Sequence, residues 1–228
     1  MYQVVVPGDF LSEETKRAGE GTYVEEGKVY ASQYGIVNVR GEIKVVPLSG
    51  KYIPSNGDVI IGKITEISFP FWIVDLASPY EARLHVSALS GIAREKIEFG
   101  NMSEYLNVDD LVVVKVMDVN VLMKIELALQ EDFELRRGGR LIEIPHTKVP
   151  RVIGRSGSMI TMLKEKCNCF IFIAKNGRIW IRGKEDDMDL ASTVILKIAR
   201  ESHTSGLTDR VAEFLDSFRK EKERELRG

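Results

Sequence analysis

The chain has 228 residues and a formal net charge of −2, a length that suits two or three small domains, each with its own core. The overall charge provides no field that would draw the whole protein to nucleic acid. The only cysteines, Cys167 and Cys169, have no second pair or clustered histidines to complete a zinc site. Reduced thiols, no apolar run near the roughly 20 residues of a membrane span, and no leader-type N-terminus predict a cytoplasmic protein without membrane association.

Residues 1–52 are predicted to form a small β domain. Short β-rich runs are broken by glycines, and the turn Pro7-Gly8-Asp9 follows the first run. Gly41 predicts a hairpin turn between the last two runs. The predicted strands cover residues 4–6, 29–32, 36–40 and 43–47.

Residues 53–132 are predicted to form a five-stranded OB barrel. A polar gap at 87–110 predicts a short helix, and it suits the insertion found between the third and fourth strands of such barrels. The predicted strands cover residues 59–67, 71–76, 82–86, 111–118 and 124–128.

Three aromatic side chains of this barrel are candidates for stacking on single-stranded RNA, since every base offers a π face. The predicted platform is Phe69, Trp72 and His85, whereas Phe71 alternates with Trp72 and is predicted to lie in the core. The alternative is that the aromatic side chains simply fill a small core. The cations predicted to reach the RNA backbone are Lys115 and Lys124.

Residues 133–206 contain a G-x-x-G loop at 154–157. Its glycines allow the backbone to approach a phosphodiester, while the arginine between them offers a charged fork and the serine a hydroxyl. Apolar pairs at 152–153 and 159–160 are predicted to anchor the flanking helices on a core. The residues of this module predicted to contact RNA are Arg151, Gly154, Arg155, Ser156 and Gly157.

The elements around this loop are predicted in the order βααββα, which is that of a KH fold. Asn176-Gly177 is a strong hairpin signal between the last two strands. Residues 133–184 hold 12 Lys or Arg against 3 Asp or Glu, the electrostatic footprint of a phosphate-binding module. The predicted strands cover 141–144, 170–174 and 178–182, and the predicted helices 150–153, 158–166 and 187–201.

Residues 207–228 are predicted to form a C-terminal helix. Val211, Leu215 and Phe218 make an apolar stripe on an otherwise charged segment, so the helix either docks on the body or is offered to a partner. The fold class is therefore predicted as multidomain, mainly β plus α+β.

The sequence shows no catalytic constellation and no nucleotide cofactor motif. His85, His146 and His203 lie in three different contexts, none with a Ser, Cys or carboxylate partner at a triad or metal-site spacing. A P-loop and a G-x-G-x-x-G motif are both missing. We therefore predict no enzyme activity, no cofactor and no metal.

The order of these modules resembles the RNA-binding cap subunit of the archaeal exosome. The matching segments are residues 6–9, 21–23, 52–54, 57–62 and the glycine loop. The resemblance implies three copies, of this chain or with a related cap subunit, seated on a hexameric ring of RNase PH-like subunits. It also implies that the cap feeds single-stranded RNA to the ring and is not itself a nuclease. Ser156 stands where the family often has Asn.

Two other functions remain open from the sequence. Transcription and translation factors also combine OB and KH modules, although elongation factors of this type usually carry two KH modules and this chain has one. A nuclease resembling polynucleotide phosphorylase would place its KH module before its OB module, behind large catalytic domains that are missing here.

Overall fold

The computed structural model describes residues 3–39, 41–88, 100–120, 122–130, 135, 138–202, 204 and 206–225, with side chains described as far as residue 218 in the last helix. The chain divides into two compact units, Met1–Gly50 and Lys51–Gly228.

The first unit contains two small antiparallel sheets. One has the strand order β1-β5-β6 and the other β2-β4-β3. Val5, Ala31 and Val45 form its small buried core. The predicted hairpin between β5 and β6 is confirmed, with Asn38 paired to Lys44, although Arg40 lies outside the described residues. Its strands are β1 (Gln3–Val5), β2 (Phe10–Ser12), β3 (Thr22–Glu25), β4 (Lys28–Ala31), β5 (Gly35–Asn38) and β6 (Lys44–Pro47).

Five strands of the second unit close into a barrel in the order β10-β11-β9-β8-β7, which confirms the predicted OB architecture. Alternating residues point inward and fill the interior, as small barrels require. The polar gap contains the short helix α1 (Met102–Tyr105), and residues 89–99 lie outside the described part. The barrel strands are β7 (Val59–Ser68), β8 (Phe71–Asp75), β9 (Ala82–His85), β10 (Leu111–Val119) and β11 (Ile125–Leu129).

The rest of the second unit has the predicted βααββα order. Its sheet, β12-β14-β13, packs helices on one face, where Ile171, Ile179 and Ile181 are buried. On the opposite face, Trp180 joins the barrel residues Ile61 and Val113 in one apolar cluster. The elements are β12 (Arg140–Glu143), α2 (Val149–Ile153), α3 (Ser158–Cys167), β13 (Phe170–Ile173), β14 (Arg178–Arg182) and α4 (Glu185–Arg200).

The C-terminal helix α5 (Leu207–Glu225) docks on this module through its first turns. Of the two arrangements that the sequence left open, docking on the body is therefore the one observed for this part of the helix. Leu207, Val211 and Leu215 are buried with the helices of the βααββα module. Lys166 of α3 also forms an ion pair with Asp216 of α5, with the Nζ and Oδ1 atoms 2.5 Å apart. No described helix is long and apolar enough to cross a membrane.

Candidate nucleic-acid interface

The aromatic surface of the barrel is built mainly from β8 and β9, and one residue of the predicted platform does not lie on it. Trp72 is completely buried, so its assignment to the platform is wrong. It lies in the barrel core, and its indole Nε1 donates a hydrogen bond to the Leu106 carbonyl oxygen at 3.0 Å. A buried indole N–H requires such a partner, and this one holds the ring inside.

Phe71, predicted to be a core residue, is half-buried on the outer face of the barrel instead. Its ring stands edge-to-face against that of His85, with centroids 5.0 Å apart, and the two residues are direct partners across β8 and β9. The guanidinium of Arg83 lies 5.8 Å from the centroid of the Phe71 ring. Phe69 is exposed in the preceding turn, where the Phe69–Pro70 peptide bond is cis.

The alternation of side chains along β8 indicates which of its residues face outward. Side chains in a strand alternate between the two faces, so Phe71, Ile73 and Asp75 share one face and Trp72 and Val74 the other. An aspartate is not expected inside a small apolar barrel, and the phase that contains Asp75 is therefore the outer one. We refer to Phe69, Phe71, Arg83 and His85 as the aromatic patch.

The orientation of His85 is fixed by Ser87, a residue that sequence reasoning missed. The Ser87 backbone N–H donates to Nδ1 of His85 at 3.0 Å, and the Ser87 hydroxyl lies 2.7 Å from the same nitrogen. Because Nδ1 accepts the backbone hydrogen bond, the neutral ring carries its proton on Nε2. His85 can therefore donate a hydrogen bond from Nε2 to a phosphate or base oxygen.

The two candidate lysines occupy different places on the barrel. Lys115 is exposed on β10 opposite Ala128 of β11. Leu127 of β11 lies beside Leu84 of β9, so the next residues along these parallel strands, Ala128 and His85, are neighbours. Lys115 is therefore in the same row as the aromatic patch, two strand spacings of about 4.8 Å from His85.

Lys124 is exposed just before β11 begins, towards the Arg83 end of the aromatic patch and further from His85. It precedes Ile125, which pairs with Ala82 at the start of β9, whereas His85 ends that strand. Lys124 is therefore four residues, about 13 Å along the strands, from the level of His85, but only two residues from that of Arg83, which pairs with Glu126. The sequence spacing alone could not show this, because the parallel pairing of β9 and β11 is not a local feature.

The glycine loop connects α2 to α3 and uses unusual backbone conformations at three positions. Gly154 has φ 77° and ψ 174°, a region that is essentially restricted to glycine, while Ser156 and Gly157 are left-handed. A Cβ on Gly154 would lie 2.8 Å from the Met159 backbone nitrogen, whereas one on Gly157 would meet nothing closer than 3.9 Å. The first glycine is required by packing as well as by φ, and the second by φ alone.

The side chains of the loop face solvent. Arg151, Arg155 and Ser156 are exposed, and neither arginine forms an ion pair with a described residue. Val152 and Met159 are buried in the core as predicted, whereas Ile153 is exposed at the edge of the loop. The loop therefore presents two available cations beside open backbone.

Among the described residues, no group of three or more His, Cys, Asp or Glu could hold a metal ion. Partial burial lowers the pKa of His146, whose ring stands edge-to-face with Tyr52. Burial also raises the pKa of the Cys169 thiol, with a smaller contribution from Asp187. Both are packed side chains, and neither belongs to the aromatic patch or the glycine loop.

This combination of an OB-type barrel with an aromatic patch on its outer face and a βααββα module with a glycine loop defines a class of nucleic-acid-binding proteins. Comparison with known families agrees in each segment. Residues 4–40 match the Exosome complex exonuclease RRP4 N-terminal region, residues 51–118 the RRP4 S1 domain, and residues 140–197 the KH domain.

Relatives that match over nearly the whole chain specify the family. The chain is 47% identical over 224 residues to the Exosome complex component Rrp4 of Methanosarcina barkeri, which covers 97% of this chain and 85% of the relative. It is 40% identical to that of Pyrococcus furiosus over 93% of this chain and 82% of the relative. A crystal structure assigned as an exosome complex RNA-binding protein matches with a TM-score of 0.64 and 36% identity, over 78% of this chain and 100% of that one. The chain belongs to the Rrp4 family of exosome components.

Proposed function

We propose that this protein is a non-catalytic RNA-binding subunit of the exosome RNA-degrading complex, and that it captures single-stranded RNA and guides it to the nuclease ring. Family membership supports the exosome assignment, because the relatives are named exosome components and this chain matches the RRP4 S1 domain and the KH domain. The observation that carries the RNA-binding role is the pair of Phe71 and His85 on the outer face of the barrel, with the Arg83 guanidinium over the Phe71 ring.

The aromatic patch suits single strands because their bases are free to stack. Each stacked base contributes about 1–3 kcal/mol whatever its identity, so the patch would bind RNA with little sequence preference. Lys115, in the same row, would meet the backbone phosphates, and the Nε2 proton of His85 would donate to an oxygen. Duplex RNA keeps its bases stacked on one another and would bind this surface less well.

The glycine loop supplies a second contact in this proposal. The open backbone at 154–157 lets a phosphodiester come close, and Arg151 and Arg155 are both exposed to neutralise it. Ser156 adds a hydroxyl that can donate to a phosphate oxygen. This contact fixes the position of the RNA backbone and does not read bases.

The finer features of the assembly belong to the same proposal. Three cap subunits, copies of this chain alone or together with a related subunit, would sit on a ring of six RNase PH-like subunits in the cytoplasm. We propose the division into residues 1–52, 53–132, 133–206 and 207–228, with the first segment supplying much of the ring contact. Its exposed apolar side chains support that role, among them Val4, Phe10, Tyr23, Val24 and Val46.

Reconstitution tests this function. The pure chain should bind single-stranded RNA without releasing nucleotides, and native mass spectrometry with RNase PH-like subunits should give a particle carrying three cap subunits. Adding the chain to the ring should speed degradation of single-stranded RNA. Phosphate-dependent nucleoside diphosphate release by the chain alone, or copurification with polymerase or ribosome instead, would contradict the proposal.

A further inference from the structure

The hairpin between β13 and β14 is buried against the barrel. Asn176 and Arg178 are each only 4% exposed, although both are polar and one is charged. Their partners are backbone and side-chain atoms of Ile61, Asp75 and Leu76 in the barrel. We call these five residues the interdomain clamp.

Arg178 is the centre of the clamp. Its Nη1 donates to the carbonyl oxygen of Asp75 at 2.7 Å and more weakly to that of Ile61 at 3.3 Å. Its Nη2 pairs with the Asp75 carboxylate, and its Nε donates to Oε1 of Glu143 at 2.8 Å. The planar fork of an arginine is needed to reach these acceptors at once, because a lysine offers a single point charge.

Asn176 and the neighbouring residues reinforce the same junction. Nδ2 of Asn176 donates to the carbonyl oxygens of Ile61 and Leu76 at 2.8 and 2.9 Å. Lys175 pairs with the buried carboxylate of Asp58, with Nζ and Oδ1 2.6 Å apart. The apolar cluster around Ile61 and Trp180 lies beside these contacts. The polar contacts are directional, and they select one orientation of the two modules where apolar packing alone would tolerate several.

The clamp connects the elements that carry the two candidate RNA surfaces. Asp75 is on the same face of β8 as Phe71, four residues and about 13 Å further along the strand. On the other side, Glu143 ends β12, and the chain then passes through α2 to reach the glycine loop. The Arg178 guanidinium thus contacts the end of β8, which carries part of the aromatic patch, and the end of β12, which leads towards the glycine loop.

We infer that Arg178 is a positioning residue that keeps the aromatic patch and the glycine loop at one fixed separation, so that a single RNA strand engages both at once. This inference rests on the proposed function, since it assumes that both surfaces contact RNA. Two sites joined at a fixed spacing bind a strand that spans them more tightly than either site alone, by about 10²–10⁴-fold when the spacing is right. If the interdomain clamp is loosened, the distance between the two surfaces varies, and the gain in affinity for a spanning strand becomes smaller.

The test measures affinity against RNA length for the full chain. Fluorescently labelled single-stranded RNAs from about 4 to about 20 nucleotides cover the range from one OB site to a spanning strand. The variants are Arg178→Met and the conservative Arg178→Lys, which keeps the charge without the fork. Arg140→Met is the matched control, because it removes an arginine with two carboxylate partners, Glu185 and Asp189, that both lie within its own module. Circular dichroism confirms that each variant is folded.

Wild type and Arg140→Met should gain affinity steeply once the RNA spans both surfaces. Both Arg178 variants should bind the shortest RNAs within about twofold of wild type, with the same salt dependence, yet bind the longest about tenfold less tightly. An unchanged length profile in both Arg178 variants would overturn the inference. Equal weakening at all lengths would also overturn it, since Arg178 would then act on folding or on RNA directly. Failure of the wild type to bind any of the RNAs would instead refute the proposed function on which the inference rests.

Discussion

At the scale of single residues, Phe71 and Trp72 show that adjacent residues of one strand can have different roles, one on the surface and one in the core. They are adjacent in sequence, but Trp72 is completely buried inside the barrel and Phe71 stands beside His85 on the outer face. The same chemical change should therefore have different consequences at the two positions.

Replacing Phe71 by alanine should weaken RNA binding and leave the fold intact. Loss of one stacked base should cost about 1–3 kcal/mol of binding free energy. Trp72→Ala should instead lower the free energy of unfolding by about 3–5 kcal/mol, as for a large side chain deleted from a core. Fluorescence anisotropy with labelled RNA and urea denaturation measure the two effects. Phe10→Ala, an exposed aromatic of the first unit, is the binding control, and a loss of affinity there equal to that of Phe71→Ala would contradict the assignment.

The two glycines of the loop should differ in their tolerance of alanine. Gly157→Ala should cost about 1–2 kcal/mol, the usual penalty for a left-handed residue with a side chain. Gly154→Ala should cost more, because its Cβ would also press on the Met159 backbone and its φ and ψ lie where only glycine is comfortable. Urea denaturation of both variants gives the comparison. Equal destabilisation would show that the backbone at 154 differs from this description.

His146 should make stability depend on pH. Burial lowers its pKa in the folded state below the ordinary value of 6.5, so the unfolded chain binds more protons as pH falls through that value. Stability from this group is complete above pH about 6.5 and declines below it, until the pH reaches the folded pKa. His146→Gln should flatten this decline between pH about 7.5 and about 5.5 in thermal unfolding. A decline of equal steepness in the variant would assign it to other groups.

At the scale of elements, local patterns predicted almost every strand and helix of the second unit. The runs of β-branched apolar residues in 59–67 and 111–118 and the Asn-Gly turn at 176–177 are strong signals, and the structure has strands and a hairpin there. The short strands β2 and β3 were missed, because three residues such as Phe10–Ser12 carry too little periodicity. Burial of the hairpin against the barrel was also beyond sequence reasoning, since it depends on residue pairs far apart in the chain, such as Arg178 and Asp75.

The candidate site was only partly predictable for the same reason. The residue types in the glycine loop identify it locally, and its exposed arginines agree with that prediction. The separation of Lys115 from Lys124, in contrast, follows from strand order in a closed barrel. Trp72 was wrongly predicted to lie on the surface because it is aromatic. The position of Asp75 in the same strand places Trp72 on the inner face.

The glycine loop as an element should contribute to the salt dependence of binding. For single-stranded nucleic acid, removing one cation that neutralises a phosphate lowers the slope of log K against log salt concentration by about 0.7. Arg151→Ala combined with Arg155→Ala should therefore reduce the slope by about 1.4 for an RNA that spans both surfaces. Lys28→Ala, which removes an exposed cation of the first unit, should leave it unchanged. A slope identical to wild type in the double variant would remove the loop from the RNA path.

At the scale of the whole molecule, the net charge of −2 is the sum of a basic segment around the glycine loop and an acidic remainder. Such a distribution favours RNA binding at the basic segment over the rest of the chain. The barrel and the KH module share an apolar cluster and a polar clamp, so we expect them to act as one RNA-binding body.

Photo-crosslinking of the full chain to a single-stranded RNA, followed by mass spectrometry of the crosslinked peptides, shows where on the molecule the RNA lies. We expect crosslinks in peptides that contain Phe69, Phe71 or His85, and in peptides that contain the loop at 154–157. Crosslinks confined to residues 3–39 would contradict a path that runs from the barrel to the glycine loop.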